Sequence, residues 1–152
     1  MNRTMGVAAG LAVFSLALAT PAQAGTVDSA EKIRRLDIML MVSALRCRNG
    51  ANNFQADYER FSASHLTELN AAATTLKSDL GRRQGAAGAK RALDKISVGM
   101  ANAYGNGHPW LDCAGLKQVT RDLAVAREPG ALLAAADQYL SPQGRVALAA
   151  GQ

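Results

Sequence analysis

The chain has few of the residues with which enzymes and metalloproteins do chemistry. Its 152 residues include two Cys, two His and one Trp, and aromatic residues make up 5% of the composition. The two cysteines do not form a C-x-x-C pair, and the chain contains no G-x-S-x-G, phosphate-binding glycine loop or dinucleotide fingerprint. The sequence therefore has no catalytic or metal-binding signature, and we expect no metal and no cofactor.

Long hydrophobic runs are absent except at the N terminus. Residues 5–19 carry no charge, follow Arg3, and precede the run Pro21-Ala22-Gln23-Ala24. This order is typical of a cleavable signal peptide, and the apolar run is shorter than the roughly 20 residues that a spanning helix needs. We expect residues 1–24 to be removed. The mature protein, residues 25–152, would then be periplasmic or secreted, with no membrane span after signal cleavage.

Net charge is modest and positive. The 17 basic residues exceed the 12 acidic ones by five, and loss of Arg3 with the signal would leave 16 against 12. Such a balance favours loose attraction to anionic surfaces, but it is too small and too dispersed to predict nucleic-acid binding. The expected partner is an unknown protein or an anionic component of the envelope.

The two cysteines, Cys47 and Cys113, predict one disulfide, because an even number of Cys in an oxidising compartment usually forms disulfide bonds. The alternative, a pair of redox-active or metal-binding thiols, lacks the usual spacing and an accompanying His. Closing a loop of this length stabilises the fold by roughly 4 kcal/mol in the chain-entropy model.

The first predicted helix covers residues 28–47, since Asp28 and Glu31 have the spacing of a capping box. The apolar cluster at 38–42 is dense enough to indicate that this helix is buried on more than one side. Apolar residues then recur every three or four positions from about 53 to 83. This segment is either one long helix or two helices with a break at Ser62-Ala63-Ser64.

Three glycines then interrupt the pattern and loosen the chain before a third helix. They are Gly81, Gly85 and Gly88, and the apolar face of the third helix is formed by Ala89, Leu93, Ile96 and Met100. Pro109 suits the first turn of a fourth helix that continues to Leu123. A fifth helix covers 132–140, and the tail at 141–152 is partly helical or frayed. No strand pattern occurs, so the predicted fold is all-α, a single bundle of four to five helices.

The run from Tyr104 to Cys113 is rich in turn residues and is the first candidate binding site. Tyr104 and Trp110 offer flat apolar faces, and His108 could carry a proton near neutral pH. The alternative, which we favour on sequence alone, is a tight interhelical connection in which the Trp110 side chain packs in the core beside the disulfide.

The densest group of basic residues is the second candidate binding site. It consists of Arg82, Arg83, Lys90, Arg91 and Lys95. These side chains could contact an anionic polymer or a membrane surface. A solvated helix face explains them as well, and this is the interpretation that the sequence alone favours.

The remaining candidates for chemistry have structural interpretations. We expect His65 to be a buried, hydrogen-bonded core residue, because His65 and Glu68 form only one copy of a motif that metal-binding bundles use twice. Asp57 and Glu59 lie beside Arg60, and we interpret both as ordinary surface charge.

Four sequence runs carry a resemblance to a known group of proteins. They are Arg35-Leu-Asp-Ile-Met-Leu-Met, Cys47-Arg48, Phe54-Gln-Ala-Asp-Tyr and Gly107-His-Pro-Trp-Leu-Asp-Cys113. With these, the chain resembles small exported alphaproteobacterial proteins of unknown function over most of residues 31–124. Some of those carry the label S-adenosyl-L-homocysteine hydrolase, an activity that goes with a large dinucleotide-binding fold and NAD, whose motifs this sequence lacks. The resemblance implies an exported compartment.

These observations predict an exported, non-enzymatic envelope protein with a binding role. One alternative is a small periplasmic stress chaperone with a single disulfide, which would loosen reversibly at low pH. The other is an enzyme acting on cell-wall material through His65 or His108.

Overall fold

The computed structural model describes residues 26–140. Within this range the chain forms five helices and no strand, in the order α1 (Val27–Cys47), α2 (Gln55–Ser64), α3 (Leu66–Tyr104), α4 (Cys113–Val125) and α5 (Ala131–Tyr139). The predicted all-α fold with four to five helices and one disulfide is confirmed. The predicted signal peptide at 1–24 and the predicted tail at 141–152 lie outside the described residues.

Helix α1 is the central element and packs against each of the other four helices. Thr26 caps its first turn, since the Thr26 hydroxyl accepts a hydrogen bond from the Ser29 N–H at 3.1 Å. Every residue from Leu36 to Leu40 is buried. The prediction that this helix is buried on more than one side is confirmed, although its cap is Thr26 rather than the expected Asp28.

The long apolar segment is broken at its serines. Helix α2 ends at Ser64 and α3 begins at Leu66, with His65 between them at φ −112° and ψ 15°. The His65 N–H still donates to the Phe61 carbonyl at 3.1 Å. Of the two predicted alternatives, the break is therefore the correct one.

Helix α3 is a hairpin of two helical arms, 66–84 and 86–104, that meet at Gly85. Gly85 has φ 71° and ψ 171°, a backbone conformation that L-residues rarely adopt. Leu93 borders the same surface depression as Ala73 and Lys77. In a straight helix Lys77 and Leu93 would lie about 24 Å apart, so the second arm must fold back on the first. The predicted loosening at the glycines is in fact one sharp reversal at Gly85.

The core has two parts along α1. One surrounds its C-terminal half with Phe61, Met100, Leu116 and Leu132, drawn from α2 to α5. The other encloses Ala30 at its N-terminal end and is formed by Ala72, Leu76, Leu80 and Ala89 from the two arms of α3. The bend at Gly85 consequently lies near the N-terminal end of α1, and Tyr104 lies near its C-terminal end.

Helix α4 begins later than predicted. Its first residue is Cys113, and the Asp112 carboxylate accepts a hydrogen bond from the Gly115 N–H at 2.8 Å. The expectation that Pro109 opens this helix is wrong, because Asp112 supplies the cap and leaves Pro109 exposed in the preceding loop.

The predicted disulfide joins Cys47 to Cys113, with their Cα atoms 5.9 Å apart. Cys47 is the last residue of α1 and Cys113 is the first of α4. The bond therefore fixes α4 to the end of the central helix. Among the described residues, the helices are all too short or too polar to cross a membrane.

Candidate functional site

The loop at 105–112 is organised around one imidazole ring. The ring of His108 stacks on Tyr104 with centroids 5.4 Å apart, and meets the Trp110 ring edge-on at 4.6 Å. Tyr104 closes α3, so these contacts fold the loop back onto the end of that helix.

Hydrogen bonds fix both the position and the tautomer of His108. The backbone N–H groups of Trp110 and Leu111 lie 3.4 and 3.3 Å from its Nδ1. Because a backbone amide only donates, Nδ1 must be unprotonated, and Nε2 carries the hydrogen that it donates to the Tyr139 carbonyl at 2.9 Å. Burial lowers the pKa of His108, against a smaller raising effect of the bond to Tyr139. The ring is thus neutral at neutral pH.

The candidate binding residues of this loop face inward. Tyr104 and His108 each retain 8% of their exposure, and Trp110 is partly buried. The Trp110 Nε1 atom is buried and has no hydrogen-bond partner among the described residues. A shallow depression of about 350 Å³ lies between the loop, Arg46 and the disulfide. A partner reaching the Tyr104 or His108 ring would have to displace packed loop atoms, so binding through these rings stays a prediction.

His65 is a buried core residue, as predicted. Its Nε2 donates to the Leu123 carbonyl at 2.7 Å, which ties the break between α2 and α3 to the last turns of α4. Its Nδ1 lies 3.7 Å from the Glu68 carboxylate. Within residues 26–140 there is no group of three or more His, Cys, Asp or Glu side chains that could hold a metal ion.

The environment of Asp57 differs from the predicted one. Its side chain is buried, at 5% exposure, and pairs with Arg60 of the same helix and, at 3.1 Å, with Arg121 of α4. The interpretation as surface charge is wrong for Asp57, because Arg121, which lies 64 positions away, packs beside it. Glu59 is exposed, as expected. The ion pairs join α2 to α4 at the edge of an open apolar depression of about 450 Å³.

The second candidate site is the surface around the bend of α3, which we call the hairpin end and define as residues 77–95. Arg82 and Arg83 lie on the first arm, and the remaining predicted cations, Lys90, Arg91 and Lys95, on the second; all five are exposed. The Asp79 carboxylate pairs with Arg83 and, at 3.2 Å, with Arg82.

Most of the net charge of the chain lies at the hairpin end. It holds six basic residues and two acidic ones, Asp79 and Asp94, a balance of +4 out of +5 for the whole chain. The other residues contribute 11 basic and 10 acidic side chains, a balance of +1. Within the described residues, Lys90, Arg91 and Lys95 take part in no ion pair.

The sequence identified the basic residues of this surface but not their arrangement. The basic group spans both sides of a glycine, and a straight helix would spread it along its length. The positive φ of Gly85, a conformation suited to glycine, brings the two halves to one end of the molecule. Comparison with known proteins assigns the chain to no group: no family model, curated protein or solved structure matches it.

Proposed function

We propose that this protein is an exported, non-enzymatic envelope protein that binds an anionic membrane surface through the hairpin end. The single observation that carries the proposal is the reversal of α3 at Gly85, which collects a balance of +4 at one end of the fold. An exposed bend presents its cations to a flat partner rather than enclosing a small ligand. An anionic lipid face is such a partner.

The charge of the hairpin end is large enough for peripheral binding to an anionic lipid surface. Each Lys or Arg close to an anionic lipid surface contributes about 1 kcal/mol, within a screening length of about 8 Å at physiological ionic strength. Lys90 and Arg91 need break no ion pair in order to contact lipid phosphates. Arg82 and Arg83 share Asp79, which reduces their contribution.

The proposed location rests on two features. Residues 1–24 have the order of a signal peptide, and Cys47 and Cys113 are bonded, as is usual in oxidising compartments and rare in the cytosol. We place the binding surface at the hairpin end and not at the loop at 105–112. The rings of Tyr104 and His108 at that loop are buried, whereas the cations of the hairpin end are exposed.

Sedimentation with lipid vesicles tests the proposal. We expect mature wild-type protein to bind vesicles rich in phosphatidylglycerol and not vesicles of phosphatidylcholine. Raising the ionic strength from about 0.05 M to about 0.5 M should release it, because the Debye length then shortens about threefold. Equal binding to both vesicles, or no binding at low salt, would contradict the proposal.

A further inference from the structure

We propose that the apolar depression between α2 and α4 binds a small amphiphile, one with a carboxylate head and a short aliphatic chain. Its volume of about 450 Å³ lies within the range of small-molecule sites, roughly 300–1,000 Å³. No residue of α3 lines it, so the inference does not depend on what the hairpin end binds.

The two helices line the depression with the same order of residues. On each, an Arg is followed three and four positions later by small or apolar residues, which places the three on one face of the helix. The lining residues are Arg60, Ala63 and Ser64 of α2 and Arg121, Ala124 and Val125 of α4. Each helix therefore contributes one charged position and one turn of small side chains.

The carboxylate of Asp57 holds both guanidinium groups at one end of the depression. Its side chain is buried and pairs with Arg60 and, at 3.1 Å, with Arg121. Asp57 precedes Ser64 by about two turns of α2. At this end two cations face one carboxylate, which leaves a balance of +1. Because Asp57 already orders both Arg side chains, less side-chain entropy is lost when an anion binds them.

Both guanidinium groups keep hydrogen-bond donors for a ligand. A guanidinium carries five N–H groups, and Asp57 accepts only from Nη2 of Arg60 and Nε of Arg121. Within residues 26–140 neither side chain has another hydrogen-bond or ion-pair partner. The planar N–H groups that remain match the two oxygens of a carboxylate, with which Arg forms bidentate pairs.

The other end of the depression is apolar and open because its residues are small. Ala63 and Ala124 have no side-chain atom beyond Cβ, and the neighbouring Val125 is 72% exposed. An aliphatic chain lying over these three residues would remove apolar surface from water. A ligand that fits both ends places its carboxylate at the guanidinium groups and its chain over the alanines and Val125.

Titration with octanoate, followed by NMR of the backbone amides, tests the proposal in the mature protein. We expect saturable shifts at Ala63, Ala124 and Val125. Octanoate should bind about fourfold more tightly than hexanoate, because its two additional CH₂ groups become about half buried. Octan-1-ol has the same chain without the charge, and it should bind at least about fivefold more weakly than octanoate.

One variant tests the apolar end. Ala63→Leu fills the depression without changing any charge, and it should abolish the saturable shifts with octanoate. Its matched control is Ala71→Leu, which changes an exposed alanine of α3 outside the depression. The control should bind octanoate as wild type does.

A second variant tests the charged end. Arg60→Gln removes one cation while Arg121 still pairs with Asp57. It should weaken octanoate binding about fivefold and leave the affinity for octan-1-ol unchanged. The matched control, Arg48→Gln, removes an exposed cation next to the disulfide and should leave both affinities unchanged.

The ligand series in wild type keeps the test decisive if a variant fails to fold. Equal affinities for octanoate and octan-1-ol, or shifts confined to residues outside the depression, would overturn the proposal. So would amide shifts in the depression that follow protein concentration and not octanoate, because they would identify it as an interface between two copies of the chain.

Discussion

The Nε2 atom of His108 lies 2.9 Å from the carbonyl oxygen of Tyr139, and this hydrogen bond joins the loop before α4 to the end of α5. The two residues are 31 positions apart. The opposite ring nitrogen accepts from two backbone N–H groups, and these two bonds exist only while the imidazole is neutral.

The pH dependence of stability follows from the burial of His108, which lowers the pKa of its imidazole. The pKa of His108 is lowered in the folded protein, so between that value and the ordinary 6.5 the unfolded chain binds more protons than the folded one. His108 thus adds stability that is fully present above pH 6.5 and is lost as the pH falls toward its folded pKa. Urea unfolding of wild type and His108→Gln at several pH values measures it. Between pH 7 and 5, the free energy of unfolding of wild type should fall more steeply than that of His108→Gln. Equal slopes would show that folding does not lower the pKa of His108.

Gly85 should resist substitution where another glycine of the same helix does not. Gly85→Ala places a Cβ at φ 71°, which we expect to destabilise the fold by about 1–3 kcal/mol. Gly99 lies within the second arm, and no atom lies within 4 Å of the position that a Cβ would take there. Gly99→Ala should therefore stabilise by about 0.5–1 kcal/mol. Thermal unfolding of both variants compares them, and equal effects would argue against the reversal at Gly85.

Asp57 should matter for stability although it looks like a surface residue in the sequence. Asp57→Ala removes the buried carboxylate that joins Arg60 and Arg121, and we expect a loss of about 1–3 kcal/mol because both of its ion pairs are lost. The loss is no larger because both guanidinium groups can return to water. Its matched control is Glu59→Ala on the same helix, which should change stability by less than about 0.5 kcal/mol. Denaturant unfolding that shows equal losses in the two variants would refute the burial of Asp57.

The disulfide should contribute a large share of the stability. Its two cysteines are 66 positions apart, and replacing both in Cys47→Ser/Cys113→Ser should lower the free energy of unfolding by about 2–4 kcal/mol. The reduced wild type should behave like this variant. A urea midpoint that does not move on reduction would show that the bond does not form in the native protein.

Features set by local sequence were predictable. The buried run of α1, the Cys47–Cys113 bond and the core position of His65 follow from apolar periodicity, cysteine number and the absence of a second metal motif. Each depends mainly on neighbours a few positions away or on a single possible pairing.

Features set by contacts between distant parts of the chain were not predictable from the sequence. Asp57 is buried because Arg121 approaches from α4, and the acceptor of His108 is a carbonyl of α5. Both Pro109 and Asp112 are residues that can begin a helix, and α4 begins after Asp112 because its carboxylate caps the first turn. The basic residues of the hairpin end were identified in the sequence, but glycine spacing alone does not say in which direction the second arm runs.

The most direct test of the central claim compares two variants that lose the same charge at opposite ends of α1. Lys90→Gln/Arg91→Gln alters the hairpin end, whereas Arg48→Gln/Lys117→Gln alters cations near the disulfide, and none of the four has an ion-pair partner among the described residues. At about 1 kcal/mol for each cation, the first variant should bind phosphatidylglycerol vesicles about 30-fold more weakly than wild type, and the second less than about threefold. Equal losses in both variants would show that only net charge matters and would contradict a binding surface at the hairpin end.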